Sequence, residues 1–157
     1  MTTGTTTPGY SHKQTAPLCL ILYGVGIVAI TLAVLLGEPV GIVIAGSVSL
    51  VLVLLASCFH YLAVENQGDV LVVRFGPVPL FRRTVRYADI GSVEIGRTLL
   101  LDGWGIHLSV RGGWVWNLWG RMCVVIHFKD GGTLRIGTDD AENLVGFLEG
   151  KVAQQGT

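Results

Sequence analysis

The chain has 157 residues, half of them hydrophobic, with eleven Lys and Arg against eleven Asp and Glu. That balance excludes a globally basic nucleic-acid binder, and the length leaves room for one compact domain beside a membrane segment. Cys19, Cys58 and Cys123 are too scattered for a metal-ligand set and too few for a disulfide framework, which fits a reduced, cytoplasm-facing domain.

Residues 1–17 (MTTGTTTPGYSHKQTAP) are rich in Thr, Gly and Pro without periodicity, and they read as a disordered tail. Two apolar runs follow, residues 18–36 and 40–64, separated only by Gly37-Glu38-Pro39. At about 1.5 Å of rise per residue, each is long enough to cross a hydrocarbon core of roughly 30 Å. Lipid leaves the backbone no partner but itself, so the expected form is a two-helix antiparallel hairpin spanning residues 18–64. A cleaved signal peptide is the rival reading, because Lys13 precedes an apolar segment. The run is longer than a usual signal core, however, and a second begins at once.

Orientation follows from the basic residues. The link between the runs has none, whereas Lys13 precedes them and Arg74, Arg82, Arg83 and Arg86 follow. Both termini are therefore expected in the cytoplasm, with the chain a multi-pass protein of the cell (inner) membrane. Ala29 and Ala33 in the first run, and Gly41, Ala45 and Ser49 in the second, are small residues at helical spacing. Such rows serve packing within the hairpin or between copies of it.

From Glu65 onward the pattern changes to short strands with turn signals. Residues 70–75, 81–87 and 90–97 read as strands, and residues 98–101 extend the third or begin a loop ending at Asp102-Gly103. Residues 105–111 alternate strictly before Gly112-Gly113, a hairpin signal, and residues 114–119. A second hairpin joins residues 122–128 to 133–136. Residues 139–153 then read as a helix capped by Thr138 or Asp139, with Leu144, Val145, Leu148 and Val152 on one stripe.

The phrases RFGPVPLFRRTVRYADIGSVEI (residues 74–95), GWGI, WVWNLWG and FKDGGTLRIGTDDAENLVGFL (residues 128–148), behind a membrane hairpin, resemble the bacterial pleckstrin-homology-like (PH-like) domain proteins. The more specific parts are Phe75-Gly76-Pro77, Gly103-Trp104-Gly105 and residues 136–140. The resemblance covers residues 64–148 and implies a barrel of about seven strands with a terminal helix. The expected fold class is thus an α+β membrane protein: a transmembrane hairpin, then an antiparallel PH-like barrel or sandwich over residues 65–155 with a C-terminal capping helix. The resemblance also implies a scaffold for protein or lipid contact, and it carries over no active-site residue.

Two sets of residues stand out. Arg74, Arg82, Arg83 and Arg86 occur with no acid between Val70 and Ala88, close behind the membrane. They are candidates for facing anionic lipid, and the simpler reading is a solvated strand face obeying the positive-inside bias. If Gly112-Gly113 is a two-residue turn, Arg111, Trp114 and Trp116 share a mixed polar and aromatic face fit for a partner. A longer turn sends Trp114 and Trp116 into the core instead. His107 and His127 have no Asp, Glu or Cys at ligand spacing, and nothing orients Ser109, His107 and Asp102 as a triad. No catalytic residue, metal, cofactor, nucleic acid or small-molecule substrate is expected.

Two functions remain. One is a cytoplasm-facing interaction module that binds a protein or peptide, or self-associates, with anionic lipid orienting it. A segment adding as a strand between the last helix and a sheet edge would be its binding mode. The alternative is a non-catalytic subunit of an oligomeric membrane transport or gating assembly.

Overall fold

The computed structural model describes residues 9–98 and 105–155. Its elements in chain order begin with β1 (Ser11–Thr15), α1 (Leu18–Leu36), α2 (Pro39–Cys58), β2 (Tyr61–Gln67), β3 (Val70–Gly76) and β4 (Arg82–Arg86). A single 3-10 turn (Tyr87–Asp89) leads to β5 (Ile90–Arg97), β6 (Gly105–Leu108), β7 (Trp114–Asn117), β8 (Met122–Phe128), β9 (Thr133–Gly137) and α3 (Ala141–Gln155).

The two helices hold 19 and 20 residues and are apolar enough to cross a membrane by length and composition. Gly37, left-handed at φ 72°, stops α1 by donating its N–H to Ala33 and Val34, and Pro39 starts α2. Small residues let the helices approach. Gly26 lies against Ser49, whose hydroxyl donates to the Gly26 carbonyl at 2.8 Å, and Tyr23 meets Ser57 at 3.1 Å. Ala29, Ala33, Gly41, Ala45 and Ser49 are buried or half-buried on helices whose residues are mostly exposed. That is the within-hairpin use of the small-residue rows.

Two sequence expectations change at the ends of this hairpin. Residues 61–64 are not the last turn of the second helix, because α2 ends at Cys58 and Tyr61 opens β2. The apolar run continues there because Leu62, Ala63 and Val64 are buried in the sheet domain. Residues 11–15, expected in a disordered tail, form β1, paired antiparallel with β2 from Ser11↔Glu65 to Thr15↔Tyr61. The helical hairpin is therefore inserted into a β-hairpin of the domain. Only Ala16 and Pro17 separate β1 from α1, and only Phe59 and His60 separate α2 from β2.

The first sheet is antiparallel in the order β1-β2-β3-β4, and the second is β5-β8-β9-β7-β6. In the second sheet β7 and β9 run parallel, and nine strands are described rather than about seven. The sheets do not close into a barrel. Both hairpins read from sequence are present, β6–β7 and β8–β9. The core lies between the sheets, where Leu71, Val73 and Phe75 meet Val124, Ile126, Leu134 and Ile136. Burying each such side chain is worth roughly 1.5–3 kcal/mol.

Helix α3 starts two residues later than the sequence suggests. Thr138 accepts the Asp140 N–H at 3.0 Å and the Asp140 carbonyl accepts from Leu144, while Asp139 turns outward to His12. Leu144 and Leu148 are buried, as the stripe predicts. Tyr87, packed against Phe147, donates to Asn66 at 2.8 Å, and burial pushes its hydroxyl up to about 12. An unfolded tyrosine ionises from about pH 10, so this stabilisation is complete below pH 10 and lost between about pH 10 and 12. Denaturant midpoints taken across that window are expected to fall, and to fall less in Tyr87→Phe.

Candidate interaction surface

The surface of interest lies where the sheets meet the helices. Thr15, Tyr61 and Gly76 mark one end of the first sheet: Tyr61 pairs with both of the others, and the Gly76 carbonyl accepts the His60 N–H at 3.1 Å. Residues 77–81 leave β3 at this end and return to it through the Phe75 N–H, which donates to the Phe81 carbonyl. Phe59, the residue that closes α2, stacks on Phe81 at 5.4 Å and meets Phe75 edge-on at 4.9 Å. An aromatic cluster thus joins the last turn of α2 to the core.

Strand β7 crosses this end of the first sheet. Its Trp114 lies beside Leu80–Arg83, where the β3–β4 connection enters β4, Trp116 packs on Phe75 at 5.7 Å, and just past β7 the Trp119 carbonyl accepts from Gln14. The edge strand of the second sheet next to β7, β6, therefore lies on the side from which the helices leave.

The arginines separate into different roles. Arg74 is committed within the first sheet, donating to Glu65 at 2.8 Å and to the Tyr61 hydroxyl at 3.2 Å, and the Glu65 bond holds its guanidinium above the ordinary range. Arg82 and Arg86 are exposed on the outer face of β4, with Arg82 reaching Gln67 at 3.3 Å. Arg83 points with Val85 toward the inter-sheet space. It is half-buried, and burial lowers its pKa. It lines two cavities. One of about 280 Å³ lies among Leu80, Phe81, Ile106, Trp114 and Trp116. The other, about 480 Å³, has Arg86 and Lys129 with Asp89 and Asp130.

The aromatic face differs from the two-residue-turn reading. Leu108 pairs with Trp114 and Ile106 with Trp116, so these four share the side facing the first sheet. The turn is longer: Ser109 donates to the Gly113 carbonyl and Gly112 to that of Ser109. Trp116 is buried in the core and removed from any partner, whereas Trp114 stays 43 % exposed at the rim and Arg111 is exposed in the turn. Residues 99–104, with Trp104 and Asp102, lie outside the described residues.

Sequence reading missed the edge contacts of β1. His12 meets Asp139 at 2.6 Å, Tyr10 donates to Asp140 at 3.0 Å, and the Tyr10 ring stacks on Phe147 of α3 at 5.4 Å. β1 covers the β2 edge of the first sheet, and Tyr10 and His12 at its start reach Phe147 of α3 and the residues that open it. The all-polar run Ser11–Thr15 carries no sequence signal for β1. His127 approaches Glu94 at 3.1 Å on the exposed side of β5 and β8. Among the described residues no three His, Cys, Asp or Glu side chains gather as a metal site. The chain matches no protein-family model, and no curated protein matches it either.

Proposed function

We propose that this chain is a non-catalytic, membrane-anchored interaction module with a PH-like domain held on the cytoplasmic face of the cell membrane, where it binds a protein or peptide partner or associates with itself. The observation that carries this reading is the insertion of two apolar helices between β1 and β2 of one sheet. Such an insertion holds a folded domain against the bilayer with two residues of slack on either side, which suits a scaffold that presents a surface at a fixed height. Pairing of β1 with β2 also requires both ends of the hairpin on the same side, which agrees with two spans.

Strand addition beside β2 would compete with β1, so a partner meets the second sheet through the exposed β6–β7 turn. A photoreactive residue in place of Arg111 in the full-length protein, irradiated in cells, tests this. Crosslinks to one other protein support docking, and crosslinks between copies support self-association. An absence of crosslinks overturns the assignment of the turn. The alternative, a subunit of an oligomeric transport or gating assembly, predicts a fixed stoichiometry above two in mild detergent.

A further inference from the structure

The end of the domain nearest the helices carries an apolar surface that the fold leaves uncovered. Leu80 is 70 % exposed, with Phe81 and Trp114 partly exposed on the same cavity and Val78 exposed in the same loop, and Leu108 and Val110 continue the exposed apolar residues along the β6–β7 hairpin. These residues come from two separate connections, residues 77–81 and the β6–β7 hairpin. They meet around the cavity between Leu80, Phe81 and Trp114. A contiguous apolar patch on a folded domain marks a surface that meets something.

Its position says what. The patch is continuous with α2 through the Phe59–Phe81 stack, and the strands behind it reach the helices within two residues. If the helices cross a bilayer, residues 77–81 sit at the level where they leave it. The flanking chemistry suits that level. Tyr61, three residues past α2, has the Lys13 ammonium 3.8 Å from its ring centre. Aromatic rings and cations concentrate in the headgroup region of membranes. Arg82 and Arg83 edge the cavity, and among the described residues neither has an acidic partner. Each cation near an anionic leaflet gains about 1 kcal/mol.

We propose that this end of the domain is seated in the lipid interface: residues 77–81 enter the headgroup region beside α2, Arg82 and Arg83 contact anionic headgroups, and the β6–β7 turn stays at the rim, where a partner reaches Arg111. The domain is then fixed in tilt as well as in height, by the hairpin on one side and the apolar patch on the other. This rests on the membrane-anchored reading, and the test separates the two.

Full-length protein carrying a nitroxide at Leu80→Cys, Leu50→Cys or Lys129→Cys is reconstituted in nanodiscs of phosphatidylcholine and phosphatidylglycerol. Its collisions with oxygen, which partitions into lipid, are compared with those with a water-soluble nickel chelate. Leu50 and Leu80 are exposed, so the label fits, and Lys129 is exposed beyond the far end of the first sheet. Cys19, Cys58 and Cys123 are buried, and the unsubstituted chain gives the background. The expected result is an oxygen-to-nickel ratio at position 80 several-fold above that at 129 and below that at 50. A lipid-like ratio at 50 with a water-like ratio at 80 overturns the seating, leaves the anchor standing and frees the patch for a protein. A water-like ratio at 50 overturns the anchor itself. Removing phosphatidylglycerol is expected to lower the ratio at 80, and an unchanged ratio overturns the role given to Arg82 and Arg83.

Discussion

Phe75→Ala is expected to remove about 3–5 kcal/mol from the stability of the domain. The side chain is fully buried at the end of β3, with the Phe59 ring against one side and Trp116 against the other. Truncation leaves a cavity that neither neighbour can fill without leaving its own strand or helix end. It also loosens the aromatic link between α2 and the core, so the loop at residues 77–81 should become a site of proteolysis while the helices stay in detergent or lipid. Denaturant unfolding followed by tryptophan emission measures the loss, and the native-state emission of Trp116 should shift to the red as water enters. A cost below about 1 kcal/mol would mean that the sheets do not pack here as described.

The second large effect separates two adjacent glycines. Gly112 and Gly113 both hold positive φ, 79° and 83°, so alanine at either meets the left-handed penalty of about 1–2 kcal/mol. A Cβ on Gly112 meets open space, whereas on Gly113 it would lie 2.5 Å from the Thr133 carbonyl oxygen and 2.8 Å from the Thr133 Cβ. Thr133 opens β9, whose parallel pairing with β7 starts one residue on, at Trp114↔Leu134. Gly113→Ala must therefore push the two strands apart, and is expected to cost about 3 kcal/mol or more, against 1–2 for Gly112→Ala. Paired denaturation curves decide it, and equal costs would overturn the close approach of Gly113 to β9.

That contact explains why the register of the hairpin could not be read from its turn sequence. Gly-Gly is compatible with a two-residue turn and with the longer one observed, and the two differ in which side of the strand carries Trp114 and Trp116. The choice is made by β9, where only a glycine fits against Thr133, and by Phe75, which receives the Trp116 ring. Both lie far along the chain from the turn. Arg83 is a second such case: the sequence groups it with Arg82 and Arg86 as one lipid-facing or solvated set, whereas β4 turns it inward with Val85. Its half-buried place between two cavities then needed the second sheet.

The sequence by itself determined the features with a short period or a local composition. These are two apolar helices and their tight Gly-Glu-Pro link, the strands at residues 90–97 and 122–128, the β8–β9 turn, and the buried stripe of α3. In each, side-chain spacing and backbone preference act within a few residues, so a window along the chain contains the cause. Tertiary structure alone decided the rest. Ser11–Thr15 is polar enough to pass for a tail, and becomes a strand because β2 offers an unpaired edge and Asp139 and Asp140 offer partners to His12 and Tyr10. Residues 61–64 look like more helix, and become a strand because β1 and β3 pair with them on both sides. The parallel β7–β9 pair belongs to the same class. These outcomes depend on hydrogen bonds and packing between segments far apart in the chain, whose free energy appears only once both partners are in place.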